Sequence, residues 1–124
     1  MTLKSGDRIF FDVTMSHMTL QVASKANLDN DSNCDPGGHP VVVDTVVLTG
    51  ADVAVLLEEL SCLAYSKTVV EEGRPGTSRL LVRTGAKFHG KTKLVCDSNE
   101  ITMTQAERLM LSDAIRARVW RMFQ

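Results

Sequence analysis

Aromatic side chains are scarce in this chain: one Trp, one Tyr and four Phe among 124 residues, 5% in all. A platform that stacks bases needs several aromatics on one face, so the scarcity argues against one. Cysteine is as sparse. Cys34, Cys62 and Cys96 are odd in number, far apart and form no CxxC pair. That excludes a disulfide framework and a zinc-finger spacing, and Cys62 and Cys96, in apolar segments, read as small core residues. No apolar run approaches the about 18–20 residues a membrane helix needs. Residues 1–7 lack the charged-then-apolar pattern of a signal peptide. Together these absences imply a soluble protein of a reducing cytoplasm, with no membrane contact.

Catalytic signatures are missing as well. Gly73-Arg74-Pro75-Gly76 resembles a phosphate loop only in its glycines, because no Gly-Lys-Ser/Thr follows and the flanks read as strands. Ser, Cys, His and acids are present, but no local arrangement sets a nucleophile beside a base. The spacing of Asp29, Asp31, Asn33 and Asp35 opens like a calcium loop. It then fails, with Cys34 where Gly is needed and Pro40 where a bidentate Glu is needed. His17, His39 and His89, with Cys34, carry no metal-ligand spacing. The expectation is no enzyme, no cofactor and no metal.

What is present is ordinary in amount: 44% hydrophobic, 23% charged and a net charge of −1. That suits one domain over 1–124 with a small but real core. The charge is unevenly distributed. Residues 1–72 hold four cations against eleven acids, and residues 73–124 hold ten cations against four acids. A dipolar chain can have opposed faces, a self-complementary contact or one basic surface.

A second regularity is a repeated helix start. Thr49-Gly-Ala-Asp52 and Thr104-Gln-Ala-Glu107 each follow an extended stretch and lead an apolar run. Each Thr can accept a backbone N–H while the acid three residues on suits the positive helix end. Glu107 reaches back easily; Asp52 is shorter and is expected to make the poorer capping box.

Apolar residues alternate over 8–15 and 18–24, with a phase slip at Ser16-His17, so two strands are predicted. Residues 26–40, rich in Asn, Asp, Gly and Pro, read as a loop. The β-branched run 41–48 reads as a central, well-buried strand. A helix follows to about residue 65, with Ala51, Ala54, Leu57, Leu60 and Ala64 on its core stripe, widened by Val53, Leu56 and Leu63, and with Asp52, Glu58, Glu59 and Ser61 left for solvent. Residues 67–71 and 78–84 read as a hairpin, 91–96 and 100–103 as further strands, and about 105–122 as the last helix. Its predicted core face is Leu109, Met110, Ala114, Ala117 and Trp120. Leu111, Ile115 and Met122 lie off that stripe, which suggests a second contact surface. The predicted class is α+β: an antiparallel sheet of about six strands with two helices, as a tandem β-β-β-α pseudo-repeat with halves at about 7–66 and 67–124. In topology alone this resembles small single-stranded nucleic-acid-binding folds that duplicate such a unit.

The strongest candidate site is basic. Arg74, Arg79, Arg83, Lys87, Lys91 and Lys93 follow one another with no acid between Glu72 and Asp97, and Phe88 and His89 sit at a loop tip among them. Arg79, Leu81 and Arg83 share one strand face. Such a face can track a phosphate backbone or meet an acidic protein. Two functions are therefore expected. The first is a small non-enzymatic protein-interaction module, homodimeric, of the accessory or inhibitor type that phages and mobile elements carry. The alternative is a single-stranded nucleic-acid binder using residues 74–93.

Overall fold

A computed structural model describes residues 1–32, 42–61, 66–84 and 90–123. The fold is α+β. Among the described residues there are seven strands in two antiparallel sheets. β1 (Arg8–Val13), β2 (His17–Ala23) and β3 (Asp44–Thr49) form one, in that order. β4 (Lys67–Val70), β5 (Leu80–Arg83), β6 (Thr92–Val95) and β7 (Glu100–Met103) form the other, also in chain order. The helices are α1 (Lys25–Ser32), α2 (Gly50–Ser61) and α3 (Gln105–Val119), closed by a 3-10 turn at Trp120–Phe123. The expected single sheet of six strands is thus two sheets. The expected β-β-β-α repeat is lost, because α1 interrupts the first half and the second half has four strands.

The period-two segments form strands where alternation predicts them, and Leu80 and Val82 turn inward while Leu81 and Arg83 turn outward. The turn before β5 is made possible by Gly73 and Gly76, both at positive φ, where a side chain would be strained. β3 differs from its expected central role. It is the last strand of its sheet, with alternating burial. Its outer edge is nevertheless satisfied: Ser78 N–H donates to the Thr45 carbonyl at 2.9 Å, and Val47 N–H donates to Thr77 Oγ1 at 2.7 Å. That contact joins the two sheets.

The expected loop begins instead with α1. Ser24 starts this helix, its carbonyl accepting from Leu28 N–H at 3.0 Å and its hydroxyl from Asn27 N–H at 3.3 Å. α1 has no apolar stripe for a sequence pattern to reveal; it is held by polar contacts instead. Asn27 Nδ2 donates to Asn99 Oδ1 at 2.7 Å, and Ser24 N–H donates to the same oxygen at 2.7 Å. Asn99 Nδ2 in turn donates to Asp44 Oδ2 at 2.8 Å. Ser98 N–H and Ser78 Oγ donate to Asp44 at 2.8 and 2.9 Å. Asn99 and Asp44 are buried, and a buried polar group is tolerated when its bonds are met in this way.

One core takes side chains from both sheets and from α2 and α3, including Leu20, Val46, Leu56, Leu60, Leu94, Ile101, Leu111 and Ile115. Each large side chain so buried contributes about 1.5–3 kcal/mol relative to exposure. α2 lies in this core with Val53, Leu56, Leu57 and Leu60 of its predicted stripe, whereas Ala51 and Ala54 are exposed and Leu63 and Ala64 lie outside the described residues. Asp52 and Glu59, expected in solvent, are buried, each beside a cation: Arg74 pairs with Asp52, and Lys67 Nζ lies 3.9 Å from Glu59 Oε1. The end of α2 is held by α3. The buried Arg108 guanidinium donates to the Leu60 carbonyl, where the negative helix end offsets its charge, and Arg116 Nη2 donates to Ser61 Oγ at 3.1 Å.

Candidate interaction surface

The basic run does not form one patch. Arg74 closes on Asp52, Nη2 lying 3.1 Å from Oδ1, so its charge is used at the start of α2. Burial raises the Asp52 pKa. The hydrogen bonds from Arg74 and Thr49, with the Arg74 charge, outweigh it and hold the carboxyl below its ordinary value. Arg79 Nε is 3.5 Å from Asp97 Oδ1, at ion-pair range but without hydrogen-bond geometry. Lys93 Nζ is 3.2 Å from Glu100 Oε1. Arg83 is exposed and lies opposite Lys93 in the β5–β6 register, and Lys91 is exposed just before β6. Lys87, Phe88 and His89 lie outside the described residues, as do His39, Cys34 and Cys62. Of the predicted residues, the structure therefore brings Arg83 and Lys93 together, with Arg79 two turns of the pleat away. Their acids come from Asp97 and Glu100, beyond the acid-free stretch. Chain position alone did not show that they fold back.

The described candidates for nucleophilic chemistry are placed as follows. Cys96 is buried, and burial, then the charges of Asp44 and Asp97, pushes its thiol up to about 12. The thiolate needed for attack is therefore scarce at neutral pH. His17 Nδ1 lies 3.0 Å from Ser16 Oγ and 3.2 Å from Thr14 Oγ1 in the β1–β2 turn.

A larger surface lies along α3. Thr104 starts this helix with the full capping box: its hydroxyl accepts from Glu107 N–H at 3.2 Å, and Glu107 Oε1 accepts from Thr104 N–H at 3.0 Å. From that start, the 3.6-residue period turns Arg108, Leu111, Ser112, Ile115 and Val119 inward. The predicted core face is the outward one. Leu109, Met110 and Trp120 are 47%, 62% and 51% exposed, and Ala106, Ala114 and Ala117 are exposed between them. The helix is apolar on two sides. Leu111 and Ile115, read as a secondary contact, take the core on the side where Arg108 donates to the Leu60 carbonyl and Arg116, which also donates to Ser112, reaches Ser61 at the end of α2.

β1 borders this face. Phe10 is 53% exposed and Met15, in the turn after β1, is 83% exposed. A hollow of about 300 Å³ lies between Phe10, Phe11, Met110, Ala114 and Arg118. A second, of about 360 Å³, lies between Val13, Met15, Ala117, Arg118 and Trp120. Arg118 belongs to both, its guanidinium carbon 5.4 Å from the centre of the Phe11 ring, within cation–π range. β1 is the outer strand of its sheet. Residues 1–3 cover it only in part: Met1 exchanges backbone bonds with Ile9 at 2.9 and 3.0 Å, so Phe11 and Val13 are the next residues whose backbone turns to that edge.

No protein-family model, curated protein or solved structure matches this chain.

Proposed function

We propose that this chain is a non-enzymatic protein-binding module that engages its partner through the outward face of α3 and the neighbouring edge of β1. The supporting observation is the convergence of Leu109, Met110, Trp120, Phe10 and Met15, all large, apolar and substantially exposed, on adjoining elements. Single exposed apolar residues are common on any protein; a contiguous group of them is characteristic of an interface. An accessory or inhibitor protein acts in this way, by occupying another protein's surface without chemistry of its own.

A photo-crosslinking residue at position 110, compared with one at position 83, tests the reading. The expected outcome is a discrete protein adduct from position 110 that Leu109→Glu abolishes and Arg79→Ala with Arg83→Ala leaves intact. Absence of any adduct from position 110 would sink it. The β5–β6 register favours a second reading, since Arg83 and Lys93 stand side by side next to Leu81 on an outward sheet face. That is the single-stranded nucleic-acid binder. It predicts oligonucleotide binding that weakens steeply with salt and with the Arg79→Ala, Arg83→Ala pair. It ranks second because Asp97 and Glu100 already stand beside two of its cations.

A further inference from the structure

We infer that the partner on the α3 face is a second copy of this chain, docked helix against helix in antiparallel orientation about a two-fold axis close to residue 115. The inference rests on the protein-binding reading and names its occupant. The outward stripe of α3 is Ala106, Met110, Asp113, Ala117 and Trp120, spaced four, three, four and three residues apart. That is the spacing of a helix-pairing seam, on the side opposite the buried Leu111, Ile115 and Val119. Its apolar members alternate small and large, with Asp113 between Met110 and Ala117. Ala114 and Ala117 at the middle let two helix axes approach to about 8 Å.

Charge selects the orientation. Asp113 on the stripe and Arg116 beside it carry opposite charges, while Arg118, on the other flank, lies over the Phe11 ring of its own chain. Arg116 is held in place by Ser112 Oγ at 3.4 Å and Ser61 Oγ at 3.1 Å, both hydroxyls rather than acids. With the axis near residue 115, Asp113 of each copy stands opposite Arg116 of the other, and Met110 of each stands opposite Trp120 of the other. The contact thus carries two opposite-charge pairs and two sulfur–aromatic pairs, with Asp113 and Arg116 each meeting its opposite. A parallel pairing would instead set Asp113 against Asp113 and Arg116 against Arg116.

Sedimentation equilibrium of the full chain tests this, read together with emission from its single tryptophan over a dilution series. The expected result is a monomer–dimer equilibrium in which Trp120 emission moves to the red on dilution. Met110→Glu is expected to weaken association by about tenfold or more. Asp113→Arg is expected to weaken it by about fivefold, and Asp113→Arg with Arg116→Asp to restore it to within about twofold of the original. Met110 and Asp113 are exposed, and melts followed by circular dichroism check that each variant folds. A monomer at every concentration, or a dimer indifferent to Met110→Glu, overturns the inference. A double variant no better than Asp113→Arg alone also overturns it, by removing the antiparallel register. If the chain is monomeric but position 110 still yields a discrete adduct with another protein, the protein-binding reading survives without this occupant. If neither is found, both fall.

Discussion

α2 and α3 are opened by the same reciprocal cap, yet they stand in different relations to the rest of the protein. Thr49 N–H donates to Asp52 Oδ2 at 2.9 Å and Asp52 N–H donates to Thr49 Oγ1 at 3.2 Å. These lengths nearly equal those at Thr104 and Glu107, so the shorter Asp52 is no poorer a partner. What separates the helices is the third group on each acid and the number of apolar sides. Asp52 also holds Arg74, whereas Glu107 Oε2 accepts only a backbone N–H more, from Lys4 at 2.9 Å. The large apolar side chains of α2 go into the core; α3 keeps a second set outside. Helices with the same start signal can therefore do different work, and the cap says nothing about which.

The sharpest way to break this comparison is to empty the buried sides. Leu56→Ala in α2 and Ile115→Ala in α3 are each expected to lower stability by about 2–5 kcal/mol in denaturant melts, through lost transfer energy and a residual cavity. Met110→Ala, measured in dilute protein, is expected to change it by less than about 0.5 kcal/mol. A cost at Met110 equal to that at Ile115 would mean that the outward face of α3 is packed within the monomer.

The caps come next in size. Asp52→Ala is expected to cost about 1–2 kcal/mol and Glu107→Ala about 0.5–1 kcal/mol, since Asp52 is buried and its loss also leaves Arg74 without its carboxylate. Equal costs would show that the Arg74 pair adds nothing to the cap.

Acid gives a smaller and more gradual effect. Burial raises the Glu107 pKa, but bonds from the Thr104 and Lys4 backbone outweigh it and hold the carboxyl below its ordinary value, as at Asp52. A carboxyl lowered by folding stabilises the native state above its unfolded pKa, and that contribution is lost as pH falls through the folded value. The melting temperature should therefore be level at neutral pH and fall as pH drops below about 4. Asp52→Asn and Glu107→Gln should each flatten that decline; an unchanged acid limb in both variants would rule these acids out as its source. Smallest of all, Arg79→Ala is expected to leave stability unchanged within error, because its pair with Asp97 is solvent-exposed.

Much of the local structure could be read from the residues. Period-two alternation over 8–15, 18–24 and 78–84 placed β1, β2 and β5 to within two residues, and Thr-x-x-acid spacing placed both helix starts. Three features were less accessible. α1 is held by Asn99 and Asp44, partners far along the chain, so its Asn- and Asp-rich sequence looks like a loop. The division into two sheets depends on which edges meet, and here Thr77 and Ser78 bond β3 without extending its ladder. The orientation of α3 could not be deduced from hydrophobicity, because Leu109, Met110 and Trp120 outweigh Leu111 and Ile115 by size while Arg108 decides the packing. The basic site was legible as a charge run but not as ion pairs, since Asp52, Asp97 and Glu100 lie outside the run that suggested it.

One carboxylate near the start of the chain bears on how the protein is made. Asp7 accepts from Lys25 N–H at 2.7 Å, from Ser5 Oγ at 2.6 Å and from Thr102 N–H at 2.9 Å. Closing a loop of that length costs entropy before any contact rewards it, and such long-range closures slow folding. During synthesis the β1–β2 hairpin leaves the ribosome long before residue 102 exists, and the amides of Lys4 and Ser24 await Glu107 and Asn99 in the same way. The nascent N-terminal part therefore emerges with its anchors still unmade. Its apolar strands are open to other chains until β7 and α3 have emerged and supplied those contacts.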